Sequence, residues 1–411
     1  MTHGQSENIG LRNFCFTLLI LSLFGAVLMP SLTIFNSFPK IEISDITCGV
    51  LLLITIYNYK EEVLSFIIEN RKWLSLFSLF IVITIVSIIW AGRYFILRDW
   101  FEPLKYLKML SFVLFFYLYT DIRKWKFYIE IIFLGLVFFN ILHYYNIWNF
   151  NLLIEPFYTA SHHLNNFGLN SIGEEATKRM IGTMGNPNNN AVLFVVFTML
   201  FLPRKRKNMM FHIFFSCVAM IGVFACQSRT GFVCLAVLMT FYFIFILPGW
   251  KIFFVFLSTG LLAFLLFQST GNNYISSITS SKQLAKASDG RVVQWEKIIE
   301  YTEGKEMLGN GVNKQFMQKN KLYAESEYFL LYFRYGLLGL VAFISVYVAL
   351  FFKNITNYKV RGTSMILGII IIFSIAGITN APLHSNKLSF IFAMIIGVAL
   401  LLTERLKVIN A

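Results

Sequence analysis

The stretch from Trp73 to Trp90, WLSLFSLFIVITIVSIIW, carries no charged side chain. A helix needs about 20 mostly apolar residues to cross the hydrocarbon core of a bilayer, and this run fills most of that length by itself. The same ruler applied along the chain gives twelve candidate spans, centred near residues 25, 50, 82, 111, 135, 197, 217, 239, 259, 340, 371 and 395. The apolar run at about 13–36 is too long for a signal-peptide core and lacks a small-residue cleavage site, so it is expected to remain as the first span.

The composition agrees with that reading. Of the 411 residues, 57% are hydrophobic and 14% charged, with 45 Phe and 19 Tyr beside 21 acidic residues. Mean hydropathy is +0.66. Soluble domains run at roughly 45–50% apolar and about 25% charged. The apolar residues fall in long runs rather than alternating strands, which excludes an outer-membrane barrel. The five cysteines lie inside apolar runs without ligand-like spacing and read as small hydrophobes, so neither a disulfide framework nor a structural zinc site is expected. A net charge of +14 would suggest nucleic acid in a soluble protein, but a membrane protein collects Lys and Arg in its cytoplasmic loops. No nucleic-acid partner is expected.

With the N-terminus in the cytoplasm, the inner loops hold Lys60, Arg71 and Lys72, then Arg123, Lys124 and Lys126, the run Arg204 to Lys207, Lys251, and Lys353, Lys359 and Arg361. The C-terminal tail adds Arg405 and Lys407. The chain therefore reads as an all-α polytopic membrane protein, a single integral membrane domain over 1–411 with both termini inside. Two long outer loops, about 146–186 and 269–325, hold most of the polar residues. Acidic residues inside the spans are scarce, and no paired Gly/Pro-interrupted helices point to a transporter's midplane site. Chemistry is therefore expected at the outer ends of the helices.

The first long loop ends at Arg179, followed by Gly182, Gly185 and Asn186-Pro187. Asn186 reads as an N-cap and Pro187 as the first helical residue. That helix end points its free N–H groups outward, and Arg179 beside it either completes an anion site or is an ordinary solvated arginine. In Gln227-Ser228-Arg229-Thr230-Gly231, Ser228 or Thr230 caps the next outer helix entry. A border arginine such as Arg229 ordinarily snorkels to head groups, yet the positive-inside bias would not place it on the outer side. Arg291 opens an amphipathic segment on which Val292, Trp295 and Ile299 share a face. Leu308-Gly309-Asn310-Gly311-Val312 reads as a turn, and Glu325 stands at or just before the tenth span. The sixth, eighth and tenth spans run inward, so three positive helix ends share the outer face, and a positive surround favours an ionised Glu325.

In that order and spacing these fragments resemble the O-antigen polymerases (Wzy type) and their relatives, the O-antigen ligases. The resemblance rests on the segment Arg179 to Ala191 with Gly185-Asn186-Pro187-Asn188, on Ser228-Arg229-Thr230-Gly231, and on Arg291 with Trp295. It rests further on Leu308 to Gly311 and on Tyr328-Phe329 leading to Gly336-Leu337-Leu338-Gly339. Where the ligase branch typically carries His-Asn, this chain has Glu325-Ser326, which favours the polymerase.

The resemblance implies a GT-C-like fold in the inner membrane of a Gram-negative bacterium, with the active site facing the periplasm. It implies metal-independent, inverting glycosyl transfer without a cofactor. A glycan on undecaprenyl pyrophosphate would be the donor and a lipid-linked repeat unit the acceptor, with a chain-length regulator and a flippase as working partners beside the membrane lipids. Arg291 and Glu325 are then the catalytic candidates, Glu325 as general base. Arg179 and Arg229, with Arg291, would hold the departing pyrophosphate. Arg98 and Arg93 are secondary phosphate candidates, as are Lys105 and Lys108, and Asn186 and Tyr328 complete the substrate-side set.

His384 is a reserve base, and Glu327 is able to exchange roles with Glu325. His162-His163 and Glu174-Glu175 read as solvated loop, and Phe112, Phe115, Phe116 and Tyr119 as lipid-facing or packing surface. A ligase joining polymer to lipid A–core, a polysaccharide flippase and a secondary transporter are the alternatives.

Overall fold

The computed structural model describes residues 3–31, 41–91, 97–158, 179–203, 209–246, 250–269 and 281–410. Among the described residues there is no β-strand. The helices are α1 (His3–Leu28), α2 (Ile43–Asn58), α3 (Lys60–Trp90), α4 (Phe101–Tyr119), α5 (Ile122–Tyr145), α6 (Phe150–Tyr158), α7 (Pro187–Phe201) and α8 (Met209–Ala225). They continue as α9 (Arg229–Phe245), α10 (Trp250–Ser269), α11 (Ser281–Thr302), α12 (Lys314–Lys319), α13 (Glu327–Ile355), α14 (Arg361–Thr379) and α15 (Asn386–Asn410).

Each of the twelve centres read from hydropathy falls within one of α1–α5, α7–α10 or α13–α15. Among the described residues six helices are long and apolar enough to cross a membrane: α1 over Ile9–Leu28, α3, α5, α13, α14, and α15 over Asn386–Arg405. The chain is thus a multi-pass α-helical membrane protein. A count of twelve crossings would rest on further helices, most of them shorter or more charged. α7, at 15 residues, reaches only about 22 Å against a hydrocarbon core of about 30 Å. α4 carries Glu102, Lys105 and Lys108.

α4 packs along α15, α3 along α13 and α7 along α8. α7 and α15 are interior helices, buried on nearly every face. Much of the phenylalanine content is interior packing rather than lipid-facing surface. Phe133 of α5 meets Phe197 and Phe201 of α7, both at 5.0 Å between ring centroids. Phe112, Phe115, Phe116 and Tyr119 are all buried, with Phe390 of α15 4.6 Å from Phe112.

The second long outer loop is largely helical where it is described. α11 begins at Ser281, well before Arg291. Of the face read from the sequence, Trp295 packs on the bundle, joined by Ile298. Ile298 is fully buried beside Leu322 and Phe333, and Trp295 stacks on Phe329 at 4.7 Å and 5°. Val292 and Ile299 are exposed. The partner is the start of α13, which α11 meets through Trp295 and Ile298.

One helix is interrupted. α13 is broken at Gly336 (φ 63°, ψ −165°). This conformation needs glycine, and a Cβ there would lie 2.4 Å from the backbone of Met307. Leu337 N and Leu338 N, which would donate to Phe333 O and Arg334 O in an unbroken helix, donate to Glu306 O (2.7 Å) and Met307 O (3.2 Å). The two vacated carbonyls accept from Asn310 N (2.8 Å) and Ser87 Oγ (2.6 Å). The two displaced amides and the two vacated carbonyls are thus each within reach of a partner, the Ser87 hydroxyl sharing its one proton between Arg334 O and Leu308 O (2.5 Å).

Candidate active site

Three helix N-termini meet at one end of the bundle. Asn186 is extended (φ −152°) and its side chain accepts from the amides of Asn188 (2.8 Å) and Asn189 (3.3 Å), with Pro187 opening α7. Ser228 caps α9 by accepting from Gly231 N (3.2 Å), and its hydroxyl donates to Asn188 Oδ1 (2.8 Å). Arg179 donates to that same oxygen (3.1 Å) and to Cys226 O (3.2 Å). Asn380, just past α14, donates to Asn189 Oδ1 (2.7 Å) and accepts from Glu327 N (3.0 Å) at the start of α13. Thr230 and Thr379 share a hydrogen bond of 2.5 Å. The N-terminal ends of α7, α9 and α13 are thereby laced to the C-terminal end of α14; the three positive poles add, and the negative pole of α14 offsets part of them.

Arg179 is buried as part of this lacing. Arg229, the first residue of α9, is half-buried and has no hydrogen-bonding or charge partner among the described residues. It is the arginine here that is placed to take a ligand anion without first giving up a bond.

Arg291 and Glu325, distant in sequence, are brought together. Arg291 Nε donates to Glu325 Oε2 at 2.6 Å, in solvent-exposed surroundings. The next two residues tie this pair to the helix ends: Ser326 Oγ donates to Gly377 O (3.0 Å), and Glu327 N reaches Asn380.

The remaining candidates fare differently. Asn186 uses its side-chain oxygen as a cap, and the Tyr328 hydroxyl donates into the bundle, to Ser374 O at 2.8 Å. Both have structural tasks that compete with contacting a substrate. Lys108 is paired with Asp45 (2.6 Å) at the entry to α2. Arg98 is exposed on the turn Leu97–Trp100. Arg93, His162-His163 and Glu174-Glu175 lie outside the described residues.

Sequence reading missed the centre of a buried charge cluster beside these helix ends. Glu102 of α4 pairs with Lys314 of α12 (2.6 Å) and Arg334 of α13 (3.7 Å), and His384 stands 3.8 Å from the same carboxylate. Lys105 donates to the His384 carbonyl, and Glu327 accepts from Leu383 N (3.0 Å). Two of these signals were visible: Arg334 interrupts an apolar run, and Glu102 stands three residues before Lys105. A charge inside a span is costly and default-functional.

Arg334 donates to His384 Nδ1 at 3.4 Å, and only a neutral imidazole accepts there. Desolvation first, and the Lys105 ammonium next, hold the His384 pKa well below its ordinary 6.5. The unfolded chain therefore takes up a proton near pH 6.5 that the folded chain refuses, and stability falls as the pH drops below that value. A thermal midpoint measured from pH 7 to pH 5 is expected to decline, and His384→Gln to flatten that decline. Equal slopes for the two proteins would refute the assignment.

Residues 213–344 match the sequence model of the O-antigen ligase family. That segment runs from within α8 to α13 and holds Arg229, Arg291, Glu325 and the break at Gly336, while Arg179 and Asn186 precede it. It supports the superfamily of O-antigen ligases and polymerases, whose members are glycosyltransferase-like enzymes of lipopolysaccharide biosynthesis. No curated protein matches the chain.

Proposed function

We propose that the chain is a surface-polysaccharide polymerase. It would transfer a growing glycan from undecaprenyl pyrophosphate to the terminal sugar hydroxyl of a new lipid-linked repeat unit, at the periplasmic face of a bacterial inner membrane. The observation that carries this reading is the meeting of three helix N-termini with Arg179, Arg229 and the Arg291–Glu325 pair at one end of the bundle. Such an end is an anion site, and a carboxylate beside it supplies the base.

In this reading the diphosphate of the donor sits against Arg229 and the ends of α7 and α9. Arg291 moves from Glu325 to the diphosphate as the donor enters. The freed carboxylate takes the proton of the acceptor hydroxyl, whose oxygen bonds to C1 of the donor sugar from the face opposite the leaving group. The C1–O bond to phosphate breaks, and the electron pair departs with undecaprenyl pyrophosphate. Charge developing on that oxygen is stabilised by cations already in place.

The ligase is the second reading, favoured by the description of the family matched at 213–344. Glu325-Ser326 in place of His-Asn weighs against it. A surface-polysaccharide gel from cells lacking the gene, complemented with wild type or Glu325→Gln, decides between them. The polymerase predicts that Glu325→Gln gives a single repeat on the core and no ladder. Bare core with lipid-linked polymer accumulating would establish the ligase.

A further inference from the structure

The short helix α6 is apolar on two adjoining sides. Phe150, Ile154 and Tyr158, spaced by four, face the bundle, and Phe139 of α5 lies 5.2 Å from the rings of Phe150 and Tyr158. Ile154 is buried with Ile181, and the Tyr158 hydroxyl donates to Leu28 O at 2.6 Å. The other side is bare: Leu152 is 69% exposed, Leu153 70% and Phe157 56%. Trp148, in the turn before it, is 90% exposed.

The level at which α6 sits decides what covers that side. Phe139 stands six residues before the C-terminal end of α5, about 9 Å down its axis at about 1.5 Å per residue. At that level α5, a helix long and apolar enough to cross a membrane, exposes Leu134, Phe138 and Ile141. The bare face of α6 therefore lies at the level of exposed apolar residues of α5, and Tyr145 and Trp148, both exposed, stand toward the end of α5 where aromatic rings favour the membrane–water boundary.

We propose that α6 is an interfacial helix whose Leu152, Leu153 and Phe157 face is inserted into the bilayer, and that it sets the depth of the arginine-bearing helix ends. The connection runs through its last residue. A Cβ on Gly185 (φ 65°) would lie 2.5 Å from Tyr158 O, so the turn before α7 is wedged against α6. The Lys387 ammonium lies 5.5 Å from the centre of the Tyr158 ring and donates to Thr183 O (2.9 Å) and Met29 O (2.7 Å). Moving α6 relative to the bilayer would move the segment between Arg179 and Asn186. The diphosphate of a lipid-anchored donor lies in the head-group plane, so an arginine held at that depth selects lipid-linked over water-soluble diphosphates. This last consequence rests on the function proposed above, whereas the membrane contact does not.

The test uses full-length protein in nanodiscs of phosphatidylethanolamine and phosphatidylglycerol, with Cys48 and Cys217 replaced by alanine. A nitroxide on Leu153→Cys, or on Phe157→Cys if the first variant fails to fold, is expected to collide with oxygen more than with a water-soluble nickel chelate. Preferential collision with the chelate would overturn the proposal. So would shielding from both reagents, which would mean that protein covers the face, either a second copy or residues 159–178. In the same discs, Leu152→Glu with Leu153→Glu is expected to lower transfer from a lipid-linked donor by about tenfold or more. Unchanged transfer would overturn the depth-setting role. If wild type itself transfers nothing, the proposed function fails while the spin-label result still decides the membrane contact.

Discussion

Arg229→Ala is expected to lower glycan transfer by about 10²- to 10³-fold, the usual cost of removing one preorganised charge donor from a developing anion. Its thermal midpoint is expected to stay at the wild-type value, because the side chain has no bonding partner among the described residues. This combination separates Arg229 from Arg179. Arg179→Ala would also remove bonds to Asn188 and Cys226 and loosen the joint between α7 and α9, so its loss of activity would mix two causes. The measurement is transfer between lipid-linked oligosaccharides by purified protein, run beside a melting curve. Retention of more than about a tenth of wild-type transfer would remove Arg229 from the diphosphate site. Arg229→Lys is expected to recover part of the activity, since the charge remains while the planar fork is lost.

Glu102→Gln is expected to be among the most destabilising single substitutions in the chain. It keeps the shape of the side chain and removes the anion facing Lys314 and Arg334, both N···O contacts being to its carboxylate. The Glu102 and Arg334 side chains are almost wholly buried. Breaking a buried pair by deleting one partner costs about 3–5 kcal/mol, because the other charge is left uncompensated in a poorly solvating interior. Glu102→Gln combined with Lys314→Met also removes one of the two cations left facing the site, Arg334 remaining, and the double variant is expected to recover part of the stability that Glu102→Gln loses. Denaturation curves in detergent for the three proteins check this, and an unchanged midpoint for Glu102→Gln would show that the cluster adds no net stability.

The helical architecture was legible because crossing a membrane imposes a length and a composition that appear directly in a sequence. Helix entries were legible for a local reason: the caps at Asn186 and Ser228 are made within three residues of themselves. Pairing of Arg291 with Glu325 was readable only as two candidates, since nothing in either segment specifies the other. The same limit hid the Glu102 cluster, whose members come from α4, α12, α13 and the turn before α15. Along α11 the amphipathic face was legible, while the residue that packs most deeply, Ile298, was not, because which row packs depends on the angle at which α13 arrives. α6 was passed over as loop: nine residues are too few to span, and a helix used on its side carries no length signature.

The exchange of hydrogen bonds at Gly336 has a consequence for how the chain tolerates insertions and deletions. Residues 306–310 look like a surface connection, where added or missing residues are normally absorbed. Here Glu306 O, Met307 O and Asn310 N take the places of groups that belong to a turn of α13. Their spacing is set by a helix they are not part of. Removing or adding one residue between Glu306 and Asn310 would shift the register of this substitute turn and strand polar groups within a membrane helix, so in length variation among natural relatives this connection should behave like helix rather than loop.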